Sequence, residues 1–83
     1  MPIILAIIED EKILSYLTTR GLLKQYVKMK YAILSGDTKR ASLKERQPPN
    51  SGIWQFRINH QFRAFCFFSD LHTLVVARID NHQ

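Results

Sequence analysis

Apolar and polar residues alternate along this chain in three successive rhythms, and each rhythm predicts a different element. Ile3 to Ile8 is a short run of mostly β-branched residues, closed by Glu9, Asp10 and Glu11, which fits a strand buried on both faces, with a helix left open as the alternative. Asp10 is then a candidate N-cap, since its carboxylate can accept the free N–H groups of a first turn. The helix it starts runs through Thr19, with Ile13, Leu14 and Leu17 on one side, and Gly21 breaks or bends it. From Leu22 to Ser35 apolar residues return at three- and four-residue steps while Lys24, Gln25 and Lys28 fall opposite, so this stretch predicts an amphipathic helix. Gly36 is placed to end it in the left-handed conformation.

Residues 37–52 form a basic connector carrying Lys39, Arg40, Lys44 and Arg46, extended in part around Ala41 to Leu43 and closed by the turn Pro48-Pro49-Asn50-Ser51-Gly52. It serves either as a phosphate-facing strip or as an ordinary solvated loop.

The third rhythm has a period of two. Trp54, Phe56 and Ile58 alternate with Gln55, Arg57 and Asn59, and Phe62, Ala64, Cys66 and Phe68 alternate with Arg63, Phe65 and Phe67, which predicts a hairpin. A two-residue loop at His60-Gln61 would set Ile58 against Arg63 and bury a charge. A three-residue loop, Asn59-His60-Gln61, instead sets Ile58 against Phe62 and Arg57 against Arg63, and is preferred. Two guanidinium groups then lie side by side on the face away from the helices. Like charges opposite each other destabilise a sheet unless solvent screens them or an anion bridges them.

A last strand, from about Leu71 to Asp80, follows a tight connection at Ser69-Asp70. Simple alternation puts Leu74, Val76, Arg78 and Asp80 on one face, with His82 on the same parity. A histidine beside a carboxylate is held in one tautomer with a raised pKa, as a general acid or base near neutral pH requires; a frayed tail is the competing explanation. His60 and His72 read as surface residues.

Composition narrows the setting. The 83 residues make a single domain, 1–83, with a small core, and 12 Lys and Arg against 7 Asp and Glu give a formal charge of +5 that suits a polyanion such as RNA or an acidic masking protein. The lone Cys66 offers no disulfide framework and suggests a buried apolar role in a reducing, cytoplasmic compartment. The N-terminal run lacks a basic start, and no stretch nears the roughly 20 apolar residues of a membrane span, so a soluble protein with no membrane partner is expected. Gly21, Gly36 and Gly52 do not build a phosphate loop, and the histidines and Cys66 lack metal-ligand spacing. No metal or other cofactor is expected, and no nucleophile-elbow pattern is present.

Three segments together, Leu43-Lys44-Glu45-Arg46, Gly52 through Ala64 with its Trp-Gln-Phe-Arg-Ile-Asn-His-Gln-Phe-Arg core, and Ile79-Asp80-Asn81-His82, resemble the RelE/ParE superfamily of bacterial type II toxin–antitoxin toxins, most closely its HigB-like branch. The resemblance covers mainly residues 43–82. It implies an α+β fold in β-α-α-β-β-β order, with two N-terminal helices packed on a twisted antiparallel sheet. It further implies an mRNA endonuclease that acts at the ribosome without metal and is neutralised by a cognate antitoxin. Carried over by position, Arg57, Arg63 and His82 are the catalytic residues, the arginines holding the scissile phosphate and His82 moving a proton. Lys44, Arg46 and Arg78 are secondary RNA contacts. The tyrosine that some members carry near the C-terminus is absent here, which places proton transfer on His82 alone. The ParE branch shares the fold but inhibits DNA gyrase, and a non-catalytic RNA- or protein-binding module is a third alternative.

Overall fold

The computed structural model describes residues 3–81 and shows two helices packed on one face of a five-stranded sheet. The α+β expectation holds, in the order β1 (Ala6–Ile8), α1 (Glu11–Thr19), α2 (Leu23–Leu34), β2 (Lys44–Glu45), β3 (Trp54–Arg57), β4 (Phe62–Asp70) and β5 (Thr73–Asn81). Spatially the strands run β1-β5-β4-β3-β2. Neighbours from β2 to β5 are antiparallel, and β1 joins the far edge parallel to β5. The sheet is thus mixed, with its antiparallel part carrying the predicted hairpin.

Helix signals in the sequence act as written. Asp10 Oδ1 accepts the Ile13 N–H at 2.9 Å, capping α1. The helix ends where Gly21 takes φ 69°, and the Gly21 and Leu22 amides return to the carbonyls of Thr18 and Leu17. That double closure buries Leu22 near Leu17 and turns the chain directly into α2. Gly36, at φ 95°, closes α2 in the same way, its amide and that of Asp37 reaching Ile33 and Ala32. Leu22 and Ser35, expected inside α2, are its caps.

Three expectations need correction. The N-terminal run is an edge strand of three residues rather than one buried on both faces. Ile4 and Ile7 point into the core, while Ile3, Leu5 and Ile8 are 70%, 69% and 51% exposed, because helices cover only one side of the sheet. In the connector, the strand forms at Lys44–Glu45, whereas Ala41 and Leu43 are core residues of an irregular segment anchored by the Arg57 amide on the Ala41 carbonyl. The third correction concerns β5, which starts at Thr73 after a turn at Leu71-His72.

Its face assignment changes midway. Val76 pairs with Cys66 but Arg78 pairs with Phe65, so Ala77 is an extra residue, a bulge that switches the parity of everything after it. Leu74 and Val76 therefore face the helices, while Arg78 and Asp80 face the opposite, open side. Ile79 takes over the core position opposite Ala64.

The core is centred on Leu17, Tyr26, Phe56, Ile58 and Leu74, all essentially fully buried. Burying each large apolar side chain contributes about 1.5–3 kcal/mol. One polar group is built into its margin. Tyr26 donates its hydroxyl to Glu9 Oε1, and Lys30 Nζ lies 2.9 Å from the same oxygen, so the loop after β1 is fastened to α2. Burial works to raise the Glu9 pKa, but the hydrogen bonds from Tyr26 and Lys30 and the Lys30 charge outweigh it and hold the carboxyl below its usual value. Burial, followed by the Glu9 contact, pushes the Tyr26 phenol up.

Candidate nucleic-acid interface

The site rests on the hairpin register, and that register is the one expected. Arg57 pairs with Arg63, Phe56 with Ala64 and Trp54 with Cys66, while the Ile58 amide donates to the Phe62 carbonyl at 2.9 Å. The loop manages without glycine at its third position because Asn59 Oδ1 accepts the amides of both Gln61 and Phe62 at 2.8 Å. The side chain thus supplies the turn contacts that the backbone would otherwise need a left-handed residue to make.

Two cross-strand rows then line the open face. The first is Arg57, Arg63 and Asp80, and the second is Lys44, Gln55, Phe65 and Arg78. Asp80 stands opposite Arg63, yet its carboxylate contacts Arg78 Nη1 at 3.2 Å. Among the described residues no carboxylate pairs with Arg57 or Arg63. Moreover, Arg57 Nε is buried with no hydrogen-bond partner there. A buried charged donor left unmatched costs free energy that an anion binding beside it would recover.

The sequence-assigned residues Lys44, Arg46 and Arg63 line one cavity of about 400 Å³ together with Glu45, Gln47 and Gln55, within the size range of ligand sites. Arg46 crosses above the sheet, donating from Nη1 to Gln55 Oε1 at 3.1 Å. The Glu45 carboxylate accepts the amides of Asn50 and Gly52 at 3.3 and 3.1 Å, so it organises the β2–β3 loop at the rim. Arg57, Arg63, Lys44, Arg46 and Arg78 all belong to this one face. His82 lies outside the described residues.

Sequence reasoning overlooked Phe65 and Gln55. Phe65 is only 6% exposed although no helix covers it, because the Arg46 and Arg78 guanidinium groups lie over its ring, with Cζ 4.6 and 4.4 Å from the centroid. The signal was its parity: Phe65 alternates in phase with Arg63, which places an aromatic ring on the arginine side of the strand. Of the histidines, His72 is more than a surface residue. Its Nδ1 is 2.8 Å from the Ile3 carbonyl oxygen, and its own carbonyl accepts the Leu5 and Ala6 amides, so the β4–β5 turn grips the segment leading into β1. Cys66 is buried on the helix side, and burial pushes its thiol up to about 12, which keeps it protonated and unreactive.

No family model and no curated protein sequence matches the chain. Solved structures do. The YoeB dimer from Staphylococcus aureus superposes with a TM-score of 0.68 at 16% identity, covering 95% of this chain and 98% of that one. YoeB in the S. aureus YoeB–YefM complex gives 0.64 at 17% identity over 93% and 95% of the two chains. The toxin–antitoxin complex RelBE2 from Mycobacterium tuberculosis gives 0.64 at 19% identity over 99% and 100%. At these identities the likeness is one of architecture, and it spans nearly the whole length of both chains: this chain has the fold of the YoeB and RelE2 toxins of toxin–antitoxin systems.

Proposed function

We propose that this chain is the toxin of a type II toxin–antitoxin pair, HigB-like in its hairpin, and that it cleaves mRNA at the ribosome until a cognate antitoxin covers its basic face. The observation that carries the proposal is the Arg57–Arg63 pair, held in register on the uncovered side of the sheet with no carboxylate partner among the described residues and a buried, unmatched Arg57 Nε. Such a pair is unfavourable in isolation and favourable around a phosphate.

In the proposed reaction the 2′-hydroxyl of the substrate attacks the adjacent phosphorus while the bond to the 5′-oxygen of the next nucleotide breaks. The products are a 2′,3′-cyclic phosphate and a free 5′-hydroxyl. Arg57 and Arg63 hold the non-bridging oxygens, where negative charge builds in the transition state. His82 is assigned to proton transfer, either taking the 2′ proton or supplying one to the leaving oxygen. Lys44, Arg46 and Arg78 hold the flanking RNA. The antitoxin offers acidic side chains to the same face, competing with phosphate for the arginines.

Expression in a bacterial host tests the proposal. The unaltered chain should arrest growth with fragmented mRNA, and Arg57→Ala, Arg63→Ala and His82→Ala should each relieve the arrest, as should co-expression of a small acidic protein encoded beside it. Arrest with intact mRNA and trapped gyrase–DNA breaks would replace the nuclease with a gyrase inhibitor. Harmless expression without any antitoxin would favour a binding module.

A further inference from the structure

The arginines of the open face fall into two kinds. Arg57 and Arg63 have no side-chain acceptor among the described residues, so their donors are uncommitted. Arg46 and Arg78 differ, since each has one donor, Nη1, engaged, by Gln55 at 3.1 Å and by Asp80 at 3.2 Å, and each lies over the Phe65 ring. A guanidinium binds phosphate through its edge and can stack on a base through its plane. With Nη1 held by a neighbouring side chain and the guanidinium set over a buried aromatic ring, each of these side chains is ordered where it can offer a plane. The Arg78 side chain is 64% exposed, so surface remains for a ligand.

We propose that Arg46 and Arg78, ordered on Phe65, form a stacking platform for a nucleobase next to the phosphate held by Arg57 and Arg63, and that differences in stacking strength give a modest nucleotide preference at the cut. The proposal rests on the RNA-cleaving function above and deepens it from phosphate binding to base selection. Placement supports it. The Phe65–Arg78 row lies two residues along the strands from the Arg63–Asp80 row, roughly 7 Å at strand rise, so a base beside the bound phosphate is within reach. Phe65 itself is too covered to stack on RNA directly, which makes it a positioning residue for the two arginines.

The test is the sequence profile of mRNA ends in cells expressing the full chain or its variants. Arg46→Lys and Arg78→Lys keep the charge and lose the plane, and Phe65→Leu keeps an apolar side chain and removes the ring that orders both. Total cutting should fall about tenfold in each Lys variant, near the lower range for loss of one base stack, and the preference beside the cut should flatten. A profile identical to wild type in both Lys variants, whatever the rate, overturns the platform while the nuclease stands. If the wild type yields no mRNA ends at all, the nuclease fails and the platform falls with it. Thermal melting of each variant separates Phe65→Leu as a folding defect from Phe65→Leu as a loss of selectivity, the Lys variants deciding the matter if it does not fold.

Discussion

On the helix side of the β3–β4 hairpin, Phe56, Ile58 and Ala64 have no exposed surface, whereas one residue along the same strands Arg57 and Arg63 face each other across the open side. Both sets descend from one alternation of side chains. The helix side is governed by burial: a slip of one residue would drive arginines into the core, so the register has a single low-energy solution. The open side inherits that register and gains nothing for stability from it. Its arginines are therefore positioned by packing on the opposite face rather than by contacts of their own, which is how a small domain can hold like charges together without a ligand.

Breaking the buried side should have the largest effect. Phe56→Ala empties the centre of the core and is expected to cost about 3–5 kcal/mol in urea denaturation, a large share of what a domain of this size has, with loss of the site following from loss of the fold. Breaking the open side should separate activity from stability. Arg57→Ala or Arg63→Ala is expected to lower mRNA cleavage by roughly 100- to 1,000-fold, the range found when one transition-state donor is removed. The midpoint of unfolding should hold or rise, because relief of like charges on a sheet is worth up to about 1 kcal/mol. A matching fall in stability would mean that the pair is structural.

Two smaller effects sharpen the contrast. Asn59→Ala removes both side-chain hydrogen bonds that set the loop length and should cost about 1–2 kcal/mol by thermal unfolding. The smallest is a pH effect. Glu9 is held below its ordinary pKa of 4.5 in the folded chain, so its contribution is present above that pH and is lost as the pH falls through the lower, folded value. Wild type should thus lose stability on acidification below about pH 4.5 in a way that Glu9→Gln does not, and parallel profiles for the two would contradict the Tyr26–Glu9–Lys30 link.

The difference between the two faces also explains what could be read from the sequence. Helix caps at Asp10, Gly21 and Gly36, and the pairing of Arg57 with Arg63, follow from local chemistry and from the cost of burying charge, both of which the residue order carries. The bulge at Ala77 does not. Nothing in the run Leu74 to Asp80 announces that one residue will be skipped; the skip lets Ile79 meet Ala64 while Arg78 meets Phe65, a choice made by three strands at once. The exposure of Ile3, Leu5 and Ile8 was hidden for the same reason, since the sequence shows that a run is apolar and only the assembled sheet shows that it forms the edge. At the site, Arg57 and Arg63 were legible from parity, and the Arg46–Phe65–Arg78 stack was not, because the Ala77 bulge moves Arg78 to the open face and Arg46 reaches Phe65 from beyond β3.

The most direct test of the arginine pair is the chemistry of the RNA ends made in cells by the unaltered chain and by the Arg57→Ala/Arg63→Ala double variant, each checked by thermal melting. The pair as phosphate clamp predicts fragments ending in 2′,3′-cyclic phosphate from the first, and none above background from the second at equal or higher melting temperature. Fragmentation by the double variant at the wild-type level, or ends carrying a 3′-hydroxyl, would contradict it.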